Sequence, residues 1–254
     1  MNKLQLTLLL IGLSVGALIY FGGNQRSSQR SQIEKSNKIN GNVISPDEVV
    51  KKAKEGIGAK QLAKIEELEA NLQKNDGNTH QEVAILKEIS GEWYKDGFAS
   101  ASGYYAERVA LLEPSDSAWS IAGSTYAVGL KQAKDDDVKV FCRNNGVKAF
   151  ENAISLNPEE TNYRLNLALI YTDMPLEDNP MKGILMLREL ADKYPNNIGV
   201  LVALGRLAIQ TGQYDKAKGR LEKAESIDPK NKVIICLLAE VYEALKDDQK
   251  SSKY

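Results

Sequence analysis

Residues 212–229 read GQYDKAKGRLEKAESIDP. Ala217, Leu221 and Ala224 follow one another at steps of four and three, so they share one face of a helix. Gly212 suits the end of a preceding helix, where a residue with positive φ is wanted. Pro229 stops the helix that follows. Reading backwards, Leu201, Leu204, Gly205 and Ala208 lay a matching stripe on an earlier helix. Gly205 and Ala217 are small enough to let two helices approach closely, and the leucines supply the buried stripe. The stretch is a turn and the second helix of a helix pair, made of spacers and packing residues.

The same frame recurs along the chain. Residues 83–116 place Leu86, Ile89, Ser90, Trp93, Ser102, Ala106, Val109 and Pro114 at its landmarks. Trp119, Ala122, Gly123 and Tyr126 open a further unit, closed by Gly146, Phe150, Ala153 and Pro158 after 11 extra residues. Lengthening both helices by one to two turns accommodates them, with KDDDVK near the tip. Leu167, Ala168, Tyr171, Gly183, Leu187, Leu190 and Pro195 mark the next unit, whose 3 extra residues fall in TDMPLEDNPMKG. Pro175 and Pro180 make that stretch a loop. Residues 198–231 fill the frame without a gap, and Ile235, Leu238, Ala239 and Tyr242 begin one more helix.

This spacing resembles the tetratricopeptide repeat, a helix–turn–helix unit of about 34 residues. The expected fold is an all-α solenoid of four such units, 83–116, 116–160, 161–197 and 198–231, with a capping helix and tail at 232–254. Residues 45–82 are expected to be an N-terminal helical cap or a degenerate repeat. There Ser45 with Glu48 forms a capping box, Pro46 takes the first helical position, and Gly56 with Gly58 favours a break. Thr79 with Glu82 is expected to cap the next helix. The resemblance implies a right-handed superhelix whose concave groove, lined by first helices, binds a peptide or helix of a partner protein.

The N-terminus adds a different element. From Leu4 to Gly23 there is no charged residue, and about 20 helical residues span a hydrocarbon core. Residues 1–23 are expected to be a single transmembrane anchor; a cleaved signal peptide is the competing reading. Residues 24–44 are polar and read as a flexible tether. The expected location is a membrane, of bacterial inner-membrane type. Arg26, Arg30, Lys35 and Lys38 after the span lean the soluble part toward the cytoplasm, with the periplasm as the alternative.

Chemistry is not indicated. The formal net charge of -1 gives no bias toward nucleic acid. Cys142 and Cys236 have no neighbouring ligand pattern. The single histidine, His80, stands at a polar helix start. Asp135, Asp136 and Asp137 are consecutive, so their side chains diverge from any one cation. No phosphate-binding glycine loop or nucleophile elbow is present. Neither a catalytic residue, a metal nor a cofactor is expected, and the chain reads as a non-enzymatic adaptor.

Inward positions implied by the family give the candidate groove: Lys87 and Tyr94 in the first unit, with Gly91 and Lys95 beside them. Asn162, Leu165, Asn166 and Leu169 follow in the third, and Val202, Arg206 and Ile209 in the fourth. The second unit contributes small residues, Ser117, Ser120 and Ser124. Some members of the family grip an acidic C-terminus with Lys, Asn and Arg. Lys87, Asn166 and Arg206 are of those types, but Gly91 and Ser124 stand where an amide is wanted, so the pattern departs from that clamp. The alternative role is a structural or assembly subunit of a membrane complex, docking by its convex face or by the extended second unit.

Overall fold

The computed structural model describes residues 44–247. The expected membrane anchor and nearly all of the tether lie outside the described residues, and no described helix is long and apolar enough to cross a membrane.

From Pro46 onward the described chain is a succession of 11 helices, with no strand among the described residues. They are α1 (Pro46–Gly56), α2 (Ala59–Lys74), α3 (Thr79–Lys95), α4 (Ala99–Leu112), α5 (Asp116–Gln132), α6 (Asp136–Leu156), α7 (Thr161–Asp173), α8 (Lys182–Lys193), α9 (Ile198–Gln210), α10 (Tyr214–Ile227) and α11 (Lys232–Ala244). Helices α3, α5, α7 and α9 are the first members of four pairs. Each pair packs internally and against the pair or helix that follows, as a solenoid requires.

Small residues set these contacts. A Cβ placed on Gly205 would lie 2.9 Å from Leu221, and one on Gly123 would lie 2.9 Å from the Phe150 ring. In the first pair, Ser90 stands at the place of Gly205 and Ser102 at that of Ala217, and the two bond across the crossing. Ser90 Oγ donates to the Ser102 carbonyl at 3.0 Å, and Ser102 Oγ donates to the Ser90 carbonyl at 2.8 Å. The turns follow the expected chemistry too: Gly212 adopts φ 68° and Gly97, in the matching turn of the first pair, φ 86°.

The insertion in the second pair extends α5 to Gln132, past Val128, which matches the end of α3 at Lys95, and makes α6 21 residues long against 14 in α4 and in α10. Its tip is engaged within the chain. The Asp135 side chain caps α6 by accepting from the Asp137 N–H at 2.9 Å, and it also pairs with Lys52 of α1.

Helix α1 ends at Gly56 and the chain turns into α2. Instead of pairing closely with α2, α1 crosses to α4, burying Val49, Val50 and Ala53. Glu69 of α2 ties this end together by pairing with Lys54 and accepting from Tyr105 Oη at 2.6 Å. The cap of α3 is one residue earlier than the sequence suggests. Asn78 accepts from the Gln81 N–H, and Thr79 is the first helical residue.

The two cysteines differ in environment. Cys142 is fully buried, and burial pushes its thiol up to about 12, whereas Cys236 is exposed on α11. The thiolate is the reactive form. A thiol reagent is therefore expected to titrate one cysteine in the native chain and both in denaturant. Equal native reactivity of the two would contradict this packing.

Candidate functional site

Helices α7, α9 and α11 each pack against the preceding first helix, and the contact of α5 with α3 is the slightest of the four. Between α3 and α5 opens a cleft of about 820 Å³. Lys87, Gly91, Tyr94 and Lys95 of α3 form one wall and Ser117, Ala118, Ile121 and Thr125 of α5 the other. The floor is α4, at Ser102, Ala106 and Val109. Small side chains on wall and floor leave the space open. Tyr94 and Ile121 stand at its mouth with 52% and 62% of their surfaces exposed. Large apolar groups so exposed in a concave surface mark interaction sites more often than scattered ones do.

Hydroxyls inside the cleft are turned toward the protein. Thr125 Oγ1 donates to the Ile121 carbonyl at 2.8 Å, and Ser115 Oγ accepts from the Ala118 N–H at 3.1 Å. Ser90 and Ser102 satisfy one another. At the rim, Lys87 pairs with Glu113 at 3.5 Å and Lys95 with Glu92 at 3.6 Å. No nucleophile–base pair lines the cleft. Among the described residues, no group of three or more His, Cys, Asp or Glu could hold a metal ion. His80 is exposed outside the cleft.

Of the residues expected in the groove, the structure brings Lys87 and Tyr94 together here. Gly91, Lys95 and Ser117 line it too, Ser120 and Ser124 are on α5 outside the lining, and the remaining residues lie on α7 and α9. Leu165 is buried in the core between those helices, and a Cβ on Gly199 would sit 2.7 Å from its Cδ2. Leu169 packs against the same core, while Val202 and Ile209 pack against the next one, toward α11. Leu165 is thus spent on packing between units, while Leu169, Val202 and Ile209 are only partly buried and keep some surface exposed. Asn166 is half-buried, and Asn162 and Arg206 are exposed. Ile121 was missed by the sequence reading. Its signal is an aliphatic residue lying off the buried stripe of Trp119, Ala122 and Tyr126.

Gly91 is the diagnostic position. It sits inside a 17-residue helix, and a Cβ there would meet nothing within 4 Å. Glycine in a helix interior costs about 1 kcal/mol relative to alanine. Gly91→Ala is therefore expected to raise the stability of the chain by about 0.5–1 kcal/mol, read as a higher thermal midpoint. A lower midpoint would mean that the wall of the cleft is closed.

The fold defined by these pairs is a helix-pair solenoid. Residues 182–230 match the tetratricopeptide repeat family. No curated protein matches the chain. Two of the solved structures similar in fold illustrate the likeness. One is a tetratricopeptide repeat protein from Parabacteroides merdae, 13% identical with TM-score 0.52, the likeness covering 82% of this chain and 76% of that one. The other is a thermophilic protein of the same repeat type from Thermus thermophilus, 17% identical with TM-score 0.51, covering 79% of this chain and 99% of that one.

Proposed function

We propose that this chain is a membrane-anchored, non-enzymatic adaptor that binds a segment of a partner protein in the cleft between α3 and α5. The observation that carries the reading is the cleft itself, open where the other first helices pack more closely and flanked by exposed Tyr94 and Ile121. The uncharged run from Leu4 to Gly23 supports the anchor, and the polar residues after it supply a spacer between bilayer and solenoid.

A photo-crosslinking residue placed at Ile121 in the native membrane tests it. The reading expects a partner adduct there that disappears when Gly91→Trp fills the cleft. The same residue placed at Leu185, which is 53% exposed on α8, is the control. An adduct from Leu185 alone, or one from Ile121 that ignores Gly91→Trp, overturns the cleft and favours assembly through another face. Protease cleavage of the tether from the cytoplasmic side is the expected orientation; protection from that side places the solenoid across the membrane.

A further inference from the structure

We infer that the segment held by this cleft is short, apolar and uncharged where it crosses α3, and that it does not present a terminal carboxylate. This rests on the cleft being the binding site. The first ground is electrostatic. Lys87 and Lys95, the cations on the α3 wall, are each paired with a carboxylate of the same chain, and Glu92 is shared with Lys64 at 2.7 Å. The rim is thus close to neutral. An incoming carboxylate would meet the repulsion of Glu113 as well as the attraction of Lys87, so the rim offers it little net gain.

The second ground is hydrogen bonding. Ser90, Ser102, Ser115 and Thr125 all spend their hydroxyls on groups of this protein. A polar side chain reaching the floor between α3 and α5 would lose water and find these hydroxyls already engaged, whereas an apolar one needs no partner there.

Gly91 is the third. Neither a positive φ nor a tight neighbour requires glycine there, unlike Gly123 and Gly205 at the closed crossings. A vacancy at that point lets the backbone of another chain approach the helix closely. The wall from Lys87 to Lys95 covers nine residues, or about 12 Å of helix. About four extended residues, or two helical turns, would cover it.

The test is a selection of random displayed peptides against the full chain in lipid nanodiscs, with empty nanodiscs as counter-selection. Enriched peptides are then synthesised and their binding is read by fluorescence anisotropy. The expected peptides share a core of Leu, Ile, Phe or Met without Asp or Glu. Their affinity falls about tenfold or more in Gly91→Trp and changes less than about twofold in Gly219→Trp. Gly219 is another mid-helix glycine with open space around it, placed on α10 away from the cleft. Peptides that are sensitive to Gly91→Trp but acidic, or dependent on a free C-terminus, overturn the inference and leave the cleft as the site. If no peptide is sensitive to Gly91→Trp, the inference and the cleft reading fall together.

Discussion

Gly183→Val is expected to cost about 3 kcal/mol, at the upper end for overpacking. A Cβ at Gly183 would stand 2.7 Å from the Ala168 carbonyl oxygen and 2.7 Å from the Thr172 nitrogen. Both atoms belong to the backbone of α7, so no rotamer change relieves the contact. Helix α8 must move away, loosening Leu187 and Leu190, which are buried against the same core. Because each unit of a solenoid touches only its neighbours, the damage stays local. Urea unfolding followed by circular dichroism should therefore show an early loss of helix from the C-terminal half, ahead of the rest. A single transition at the wild-type midpoint would show that α7 and α8 are not in close contact.

Glu107→Ala should cost a similar amount, about 3 kcal/mol. Glu107 is only 7% exposed, yet it carries a charge. It accepts from Tyr126 Oη at 2.8 Å and pairs with Lys148 Nζ at 3.1 Å, so one carboxylate ties α4, α5 and α6 together. Alanine leaves a buried phenol without its acceptor and opens a void beside it. Lys148→Met should cost less, about 1 kcal/mol, since the lysine is partly in water. The two losses should not add, because both report on one pair. Glu107→Ala within about 0.5 kcal/mol of wild type would contradict this network. Burial, and then the Glu107 charge, holds the Tyr126 phenol well above its ordinary value. The unfolded chain therefore loses its phenolic proton first. This contribution to stability is intact up to the ordinary phenol range near pH 10 and is lost as pH rises beyond it.

The helix pairs were legible because close packing leaves a local imprint. Gly205 with Leu221 and Gly123 with Phe150 are contacts between residues at fixed offsets, so the interval itself encodes them. The lengthening of α5 and α6 was legible for the same reason: extra residues between two intact stripes extend the helices that bear them. The site was less legible. A repeat frame assigns inward positions to every unit alike, and that rule does not reveal that Leu165 is buried while Ile121 stands free. The difference arises because α7 and α9 pack more closely on each other than α3 and α5 do. That spacing depends on how whole units stack, which no single interval records. The same limit hid the path of α1 across α4 and the pairing of Lys52 with Asp135, 83 residues away. Asn78 and Thr79 are both competent caps, and the expectation of Thr79 missed by one residue because Asn78 accepts from the Gln81 N–H instead.

The most direct measurement compares leucine at two glycines, Gly91 on α3 and Gly123 on α5, for urea midpoint and for the partner adduct formed at position 121. Gly91→Leu is expected to keep the midpoint and lose the adduct, while Gly123→Leu drives against Phe150 and loses the midpoint. If Gly91→Leu unfolds as early as Gly123→Leu, or keeps the adduct, the solenoid has no open cleft for a partner between α3 and α5.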